Sequence, residues 1–240
     1  MIKSLNHLPH SHQDAVALAS HFTDLAPPLN ARQAVLESSR CLYCYDAPCV
    51  NACPSDIDIP SFIRNIQQEN VQGAAHKILS ANILGGSCAR VCPTEVLCQQ
   101  ACVRNNDQEC APVLIGLLQR YAVDNAQFSE YPFTRAAPTG KRIAVVGAGP
   151  AGLACAHRLA LLGHEVVIFE ASEKAGGLNE YGIAKYKLLD DFAQREVELV
   201  LQIGGIEVRH GQRLCINLSL RELHLQLDSV FLALALPASR

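Results

Sequence analysis

Along the first half of the chain, apolar residues recur at three- and four-residue intervals. This spacing predicts helices over residues 13–23, 31–39, 60–69, 71–79, 94–104 and 112–126. Pro60 and Pro112 fall at predicted helix starts, where a missing N–H breaks no intrahelical bond. A stretch rich in proline and small polar residues, SEYPFTRAAPTGK at 129–141, then reads as a linker. Beyond it the period shortens. Residues 142–146 and 165–169 are short β-rich runs on either side of an Ala/Leu helix at 151–162, a βαβ unit. A helix at 188–203 and an apolar strand at 230–236 complete the pattern, and no solenoid-type repeat is present. The expected fold class is therefore α+β multidomain: an all-helical domain over 1–128, the linker at 129–141, and a Rossmann-like α/β domain over 142–240.

Composition narrows the possibilities. In 240 residues, 49% are hydrophobic and 18% charged, the balance of a folded globular protein rather than a disordered one. A net charge of −3 supplies no broad basic field, so neither nucleic acid nor an anionic membrane is an expected partner. The apolar runs fall far short of the ~20 residues a membrane span needs. The opening MIKSLNHLPHSHQD lacks the apolar core of a secretory signal, and the expected location is cytoplasmic. In a reducing compartment, 11 cysteines point to metal or redox chemistry rather than to a disulfide scaffold.

Eight of those cysteines lie between Cys41 and Cys102. The first group is Cys41-x2-Cys44-x4-Cys49-x3-Cys53-Pro54. The second is Cys88-x3-Cys92-Pro93, followed by Cys98-x3-Cys102. Iron–sulfur clusters need several converging thiolates, and the last Cys-Pro of a run commonly serves a different cluster from its neighbours. Zinc is the rival, but its structural sites usually show two CxxC pairs, and this chain has one. Two [4Fe–4S] clusters are the expectation. Cys110, Cys155 and Cys215 read as ordinary thiols, Cys155 as core packing. Of the histidines, His157 and His164 are expected at exposed or helix-end positions, and His7, His10 and His12 in a disordered tip. No Ser-His-Asp set or paired carboxylate supports hydrolysis.

The stretch Gly147-Ala148-Gly149-Pro150-Ala151-Gly152 follows a predicted strand and opens a predicted helix. Gly147 makes the tight turn, Gly149 admits a pyrophosphate to the backbone, and Gly152 lets helix pack closely on strand. The phosphates would sit at the positive end of that helix. Glu170 closes the second strand, where a carboxylate can accept hydrogen bonds from a ribose.

The segments SRCLYCYDAPCVNACP, GAAHKILSANILGGSCARVCPTEVLCQQAC and APVLIGLLQRYAVD resemble the N-terminal iron–sulfur domain of dihydropyrimidine dehydrogenase, and most of all the NAD-dependent small subunit of its bacterial two-subunit form. Glutamate synthase small subunits share the domain more distantly. The resemblance implies crosswise ligation: one cluster on Cys41, Cys44, Cys49 and Cys102, the other on Cys53, Cys92, Cys98 and Gln119 of the motif Ile115-Gly116-Leu117-Leu118-Gln119. Cys88, which plain spacing would nominate, becomes a neighbour rather than a ligand. Gly176-Gly177-Leu178 after Glu170 is similar to the stretch that lies along FAD in two-dinucleotide flavoproteins. Lys187 stands where the family has a cofactor-contacting arginine, and Arg213 falls near a further FAD contact. Ala184 replaces a family proline, and lysine at 187 lacks the planar fork that grips phosphate in two places.

The activity implied is electron transfer. NAD(P)H would reduce FAD, and two [4Fe–4S] clusters would pass single electrons to an FMN-containing partner subunit that reduces uracil or thymine. The pyrimidine-binding residues would lie on that partner, so the resemblance nominates no catalytic residue here. It also implies a second, NAD(P)H-binding domain beyond residue 240, so the chain is expected to be an N-terminal portion or a truncated product. Alternatives are a glutamate synthase-type electron donor and a non-catalytic iron–sulfur module. The spacing CPTEVLCQQAC, longer than the compact C-P-x-P-C of the glutamate branch, favours the pyrimidine branch.

Overall fold

The computed structural model describes residues 24, 26–106 and 110–234. The helix expected at 13–23, the three N-terminal histidines and the end of the strand expected at 230–236 lie outside the described residues.

The helical unit is built from short, individually capped helices. Helix α1 (Ala31–Ser38) starts at a reciprocal capping box between Asn30 and Gln33. A short turn of helix, α2 (Pro48–Asn51), follows. Helix α3 (Ile59–Gln67) opens on Asp58, which accepts from the Ser61 N–H, and carries proline in its first turn. Its Ile59, Phe62, Ile63 and Ile66 form one buried stripe at helical spacing. Helix α4 (Val71–Ala81) is capped by Asn70. Helix α5 (Gly85–Val91) and helix α6 (Ile115–Asn125) complete the unit. Its core gathers the α3 stripe with Ala34, Ala74, Ile78, Ile115 and Leu118, and Cys41, Cys49, Cys53 and Cys102 pack against it.

The helix expected at 94–104 does not form. Two 3₁₀ turns, Thr94–Val96 and Val103–Asn106, bracket irregular chain. In an α-helix, residues four apart share a face, which would aim Cys98 and Cys102 alike. Here Cys102 joins Cys41, whereas Cys98 lies with Cys92 and Cys53. The Asn105 amide holds the irregular turn by donating to the carbonyls of Gln99 and Gln100.

The second unit is a parallel sheet of β1 (Arg142–Val146), β2 (Glu165–Phe169), β3 (Ile206–Arg209) and β4 (Ser229–Leu232), in the order β3-β2-β1-β4. Val145 lies opposite both Ile168 and Phe231, which fixes the register. Between the strands run α7 (Pro150–Leu161), α8 (Leu178–Tyr181), α9 (Phe192–Leu201) and α10 (Leu220–Gln226). Alternate strand residues face opposite sides. Val145, Val166 and Ile168 meet α7 and α9, while Ala144, Val146, Val167 and Phe169 meet Leu223 of α10.

The two units are not separated by a free linker. Residues 129–141 carry no helix or strand, yet they are pinned along the sheet unit. Ala136 N–H donates to Leu161 O, Thr139 N–H to Gly163 O, and Arg135 pairs with Glu165. Leu79, Ile83 and Leu84 of the helical unit share one core with Val145, Leu153 and Val197. From α9, Glu196 reaches into the helical unit, where its Oε1 accepts from the N–H groups of Gly86 and Ser87, both at 2.9 Å, and its Oε2 accepts from the Ser87 hydroxyl.

His157, expected at an exposed or helix-end position, is buried at 6% exposure in this shared region. Its Nε2 lies 2.7 Å from the Tyr131 hydroxyl, and Phe133 packs edge-on against its ring. Residues 129–141 cover the face of α7 that an isolated sheet unit would leave open. Burial, with a smaller contribution from Arg158, pushes the imidazole down to about 4. The unfolded chain therefore binds an extra proton between pH 6.5 and 4. Stability is full above 6.5 and falls with pH through this window, by at most about 3 kcal/mol. Urea unfolding across this range checks the prediction: replacing His157→Gln should flatten the pH dependence, and NMR should show a His157 ring that does not titrate above pH 5.5.

Candidate metal centres and dinucleotide cleft

Cys41, Cys44, Cys49 and Cys102 line one cavity, closed by Ile59, Ile63, Val113 and Ile115. Three of these thiols come from the chain around α2 and the fourth from the irregular turn before Val103. Left-handed backbone at Tyr43 (φ 52°) and Ala47 (φ 36°) bends this chain sharply between successive cysteines. Such conformations are costly for residues with a side chain and persist only where surrounding contacts impose them. The two cysteine-bearing segments are tied together at the backbone, because Arg104 Nε donates to Arg40 O at 2.7 Å. Arg40 in turn donates to the carbonyls of Ala111 and Pro112.

Burial raises the thiol of Cys41 and pushes that of Cys49 up to about 11, reinforced by the neighbouring cysteines. Without a cation, both effects hold Cys41 and Cys49 as neutral thiols. Four thiols ringing a cavity suit a cubane, in which each corner iron takes one thiolate. A zinc ion instead needs every sulfur about 2.3 Å from one point. Among the described residues, no group of three or more His, Cys, Asp or Glu side chains stands in position to hold a metal ion.

The second constellation lies next to the first. Burial, then the nearby Cys92, Cys53 and Cys49, pushes Cys98 up to about 12. Cys92 is pushed up to about 11 by burial and by Cys88 and Cys53. These thiols are therefore mutual neighbours, with Cys49 between the two groups. Gln119 is buried at 6% exposure, and its Nε2 donates to Gly85 O at 2.8 Å. The same side chain hydrogen-bonds Cys88, whose thiol is raised chiefly by burial. Cys88 and Gln119 thus stand together beside Cys92, and the geometry brings both to the second constellation. Cys110 and Cys215 are exposed, whereas Cys155 packs against the shared core.

The dinucleotide fingerprint forms a cleft at the carboxyl ends of β1, β2 and β4, the usual ligand position in an open parallel sheet. Gly147, Gly149, Pro150, Ala151, Glu170, Gly177, Leu178 and Arg213 line it. Ala148 and Gly152 are buried behind it. Helix α7 starts at Gly149 without a side-chain cap, so its first N–H groups are available to an anion. A Cβ on Gly177 would come within 2.6 Å of Gly149 Cα, and one on Gly147 within 2.4 Å of Ala233 O. The two glycine turns therefore lie against each other and leave a cradle that side chains would fill. Glu170 is buried; Oε2 accepts from Ala148 N–H and Oε1 from Ser172 N–H, both at 2.7 Å. The carboxylate is thereby aimed at the glycine turn, and its remaining lone pairs can meet a ribose.

Lys187 is not among the residues lining the cleft. The segment after α8 turns irregularly, and Lys187 N–H donates to Ala184 O. Ser172, Tyr181, Gln212 and Phe231 line the cleft without having been expected. Their only sequence signal is closeness to the carboxyl end of a strand or to the glycine turn.

Residues 18–131 match the family described as dihydropyrimidine dehydrogenase domain II with a 4Fe–4S cluster, and residues 145–181 match an NAD(P)-binding Rossmann-like domain. The chain carries the iron–sulfur domain of the dihydropyrimidine dehydrogenase family. It is 35% identical over 218 residues to the NAD-dependent dihydropyrimidine dehydrogenase subunit PreT of Salmonella typhimurium, covering 90% of this chain and 52% of that one. The Escherichia coli K12 subunit PreT matches to the same extent. A PreT homolog of Salmonella typhi is 38% identical over 186 residues, 77% of this chain and 45% of its own. The chain spans about half the length of the curated relatives it matches. The architecture is thus a helical domain that matches the iron–sulfur family, followed by a Rossmann-like α/β domain. No helix among the described residues is long and apolar enough to cross a membrane.

Gly152 sets the closeness of α7 to β1. A Cβ there would lie 1.9 Å from Gly147 O and 3.2 Å from Ala233 Cβ. Replacing Gly152→Ala must therefore move backbone, and an overpacking cost of about 1–3 kcal/mol is expected in urea unfolding.

Proposed function

We propose that this chain is an electron-transfer subunit that carries electrons from NAD(P)H, through FAD, to two [4Fe–4S] clusters. From there they pass to an FMN-containing partner that reduces uracil or thymine. The observation that carries the reading is the cavity ringed by Cys41, Cys44, Cys49 and Cys102, thiols from two segments 53 residues apart at their nearest. Bound groups of these kinds supply the conversion of hydride pairs into single electrons and their onward transfer. The protein supplies ligands, spacing and seclusion from water. Cys41, Cys44, Cys49 and Cys102 hold the first cluster; Cys53, Cys92, Cys98 and Gln119 hold the second. The Gln119 Nε2–Gly85 O bond supports this assignment, because it fixes the amide and leaves Oε1 as its metal-binding atom. Gly147, Gly149, Pro150, Ala151, Glu170, Gly177, Leu178 and Arg213 cradle the FAD nucleotide, with Ala148 and Gly152 setting the turn.

Iron and sulfide analysis of the anaerobically purified chain tests the reading, with about eight irons per chain expected. Replacing Cys102→Ala should lower iron to about four and abolish one of two EPR signals in the reduced protein. Cys88→Ser should retain both signals, whereas Gln119→Leu should lose one; the opposite result assigns the fourth ligand to Cys88. A neutral amide ligand leaves its cluster about one charge less negative than a thiolate would, which favours a higher reduction potential. Gln119→Cys should therefore lower the potential of that cluster alone in a redox titration.

A further inference from the structure

Glu196 is the most buried carboxylate among the described residues, at 4% exposure, and the electron-transfer reading leaves it without a role. It belongs to α9 of the dinucleotide-binding unit, but its carboxylate accepts its hydrogen bonds from α5 of the helical unit. Helix α5 begins on Gly85 and Gly86, poor helix formers, and Leu84 at its N-cap offers no capping side chain. Glu196 supplies the missing cap from more than a hundred residues away, satisfying two of the orphan N–H groups of the first turn with a charged acceptor.

The contact has little room to slide. A Cβ on Gly86 would lie 2.5 Å from Phe192 Cζ and 3.0 Å from Glu196 Oε1. The Arg90 guanidinium lies 3.7 Å over the Phe192 ring and is held there by both carboxylate oxygens of Asp124 on α6. The same α5 carries Cys88 and delivers Cys92 directly after its last residue, and its first carbonyl receives Gln119. One helix thus orients two elements of the second constellation, and its start is capped from the other unit. The residues ringing the first cavity all belong to the helical unit, and none lies on α5.

We propose that Glu196 is a positioning residue for the second cluster: by capping α5 from within the dinucleotide-binding unit, it makes assembly of that cluster, and not of the first, depend on docking of α9. The proposal rests on the two-cluster reading above. It follows that damage to the α/β unit at this contact is felt at Cys92 and Gln119 while the ring of Cys41, Cys44, Cys49 and Cys102 is spared.

The test uses the whole chain, purified anaerobically and reduced with dithionite, with iron content, EPR spectra and potentials as readouts. Glu196→Ala should lose about half the iron and retain the signal that Cys102→Ala abolishes. Glu196→Gln, whose amide oxygen can still accept both N–H groups, should restore both signals. Unchanged iron and potentials in Glu196→Ala would overturn the proposal, as would loss of both clusters from a variant that keeps its circular dichroism spectrum. If Glu196→Ala fails to fold, Ser87→Ala decides: it removes only the hydroxyl contact and should shift the second signal alone, and an unshifted signal sinks the idea. A wild-type chain without two distinct signals overturns the two-cluster reading itself, and the proposal with it.

Discussion

The contact between one buried carboxylate and the start of one glycine-led helix holds this molecule's two halves in register. An unpaired buried carboxylate is strongly disfavoured, as are helix N–H groups hidden from water. Glu196 and α5 remove both penalties at once, and each half supplies what the other lacks. From this contact a chain of further bonds runs outward. Gln119 grips the first carbonyl of α5, Arg90 joins Phe192 to Asp124, and Arg120 ties Asp124 to Asp24. The apolar cluster of Leu79, Ile83 and Leu84 with the sheet unit lies alongside, so docking is driven by burial and oriented by polar bonds.

The cysteine-rich interior has the opposite electrostatic character. Its thiols are desolvated and crowd one another, and both effects oppose ionisation at Cys49, Cys92 and Cys98. Few cations face them; Arg104 is a minor influence on Cys41. A bound cation reverses this balance, since positive charge among the sulfurs stabilises thiolates. The left-handed turns at Tyr43 and Ala47 fit the same logic, with backbone strain tolerated where it aims the thiols.

Much of the fold is legible from pattern. Helices α1, α3 and α4 begin and end close to where the apolar spacing places them, with the stripe Ile59, Phe62, Ile63 and Ile66 as its clearest case and local caps at Asn30, Asp58 and Asn70 fixing the starts. The βαβ unit around Gly147 is legible for the same reason, because glycine spacing and strand period are set by neighbours in sequence. Strand β3 and helix α10 escape, and so do three features with a tertiary cause. Helix α5 has two glycines where a helix should start, and its cap comes from Glu196. The expected helix at 94–104 has good local propensity but must send Cys98 and Cys102 to different neighbours. His157 sits on a helix whose pattern allows exposure, and residues 129–141 fold back to bury it.

By itself, the order of residues determined the inventory of this protein: eight clustered cysteines, a glycine turn ahead of a helix, and a carboxylate at the end of the next strand. These depend on residue type and short spacing, which local stereochemistry reads directly. Only the tertiary structure decided the grouping: that Cys102 crosses to Cys41, that Cys88 and Gln119 meet at one place, and that a carboxylate of the sheet unit caps a helix of the cluster unit. Such pairings arise when distant segments are buried together, because desolvated polar groups and thiols must find partners wherever the packed chain places them.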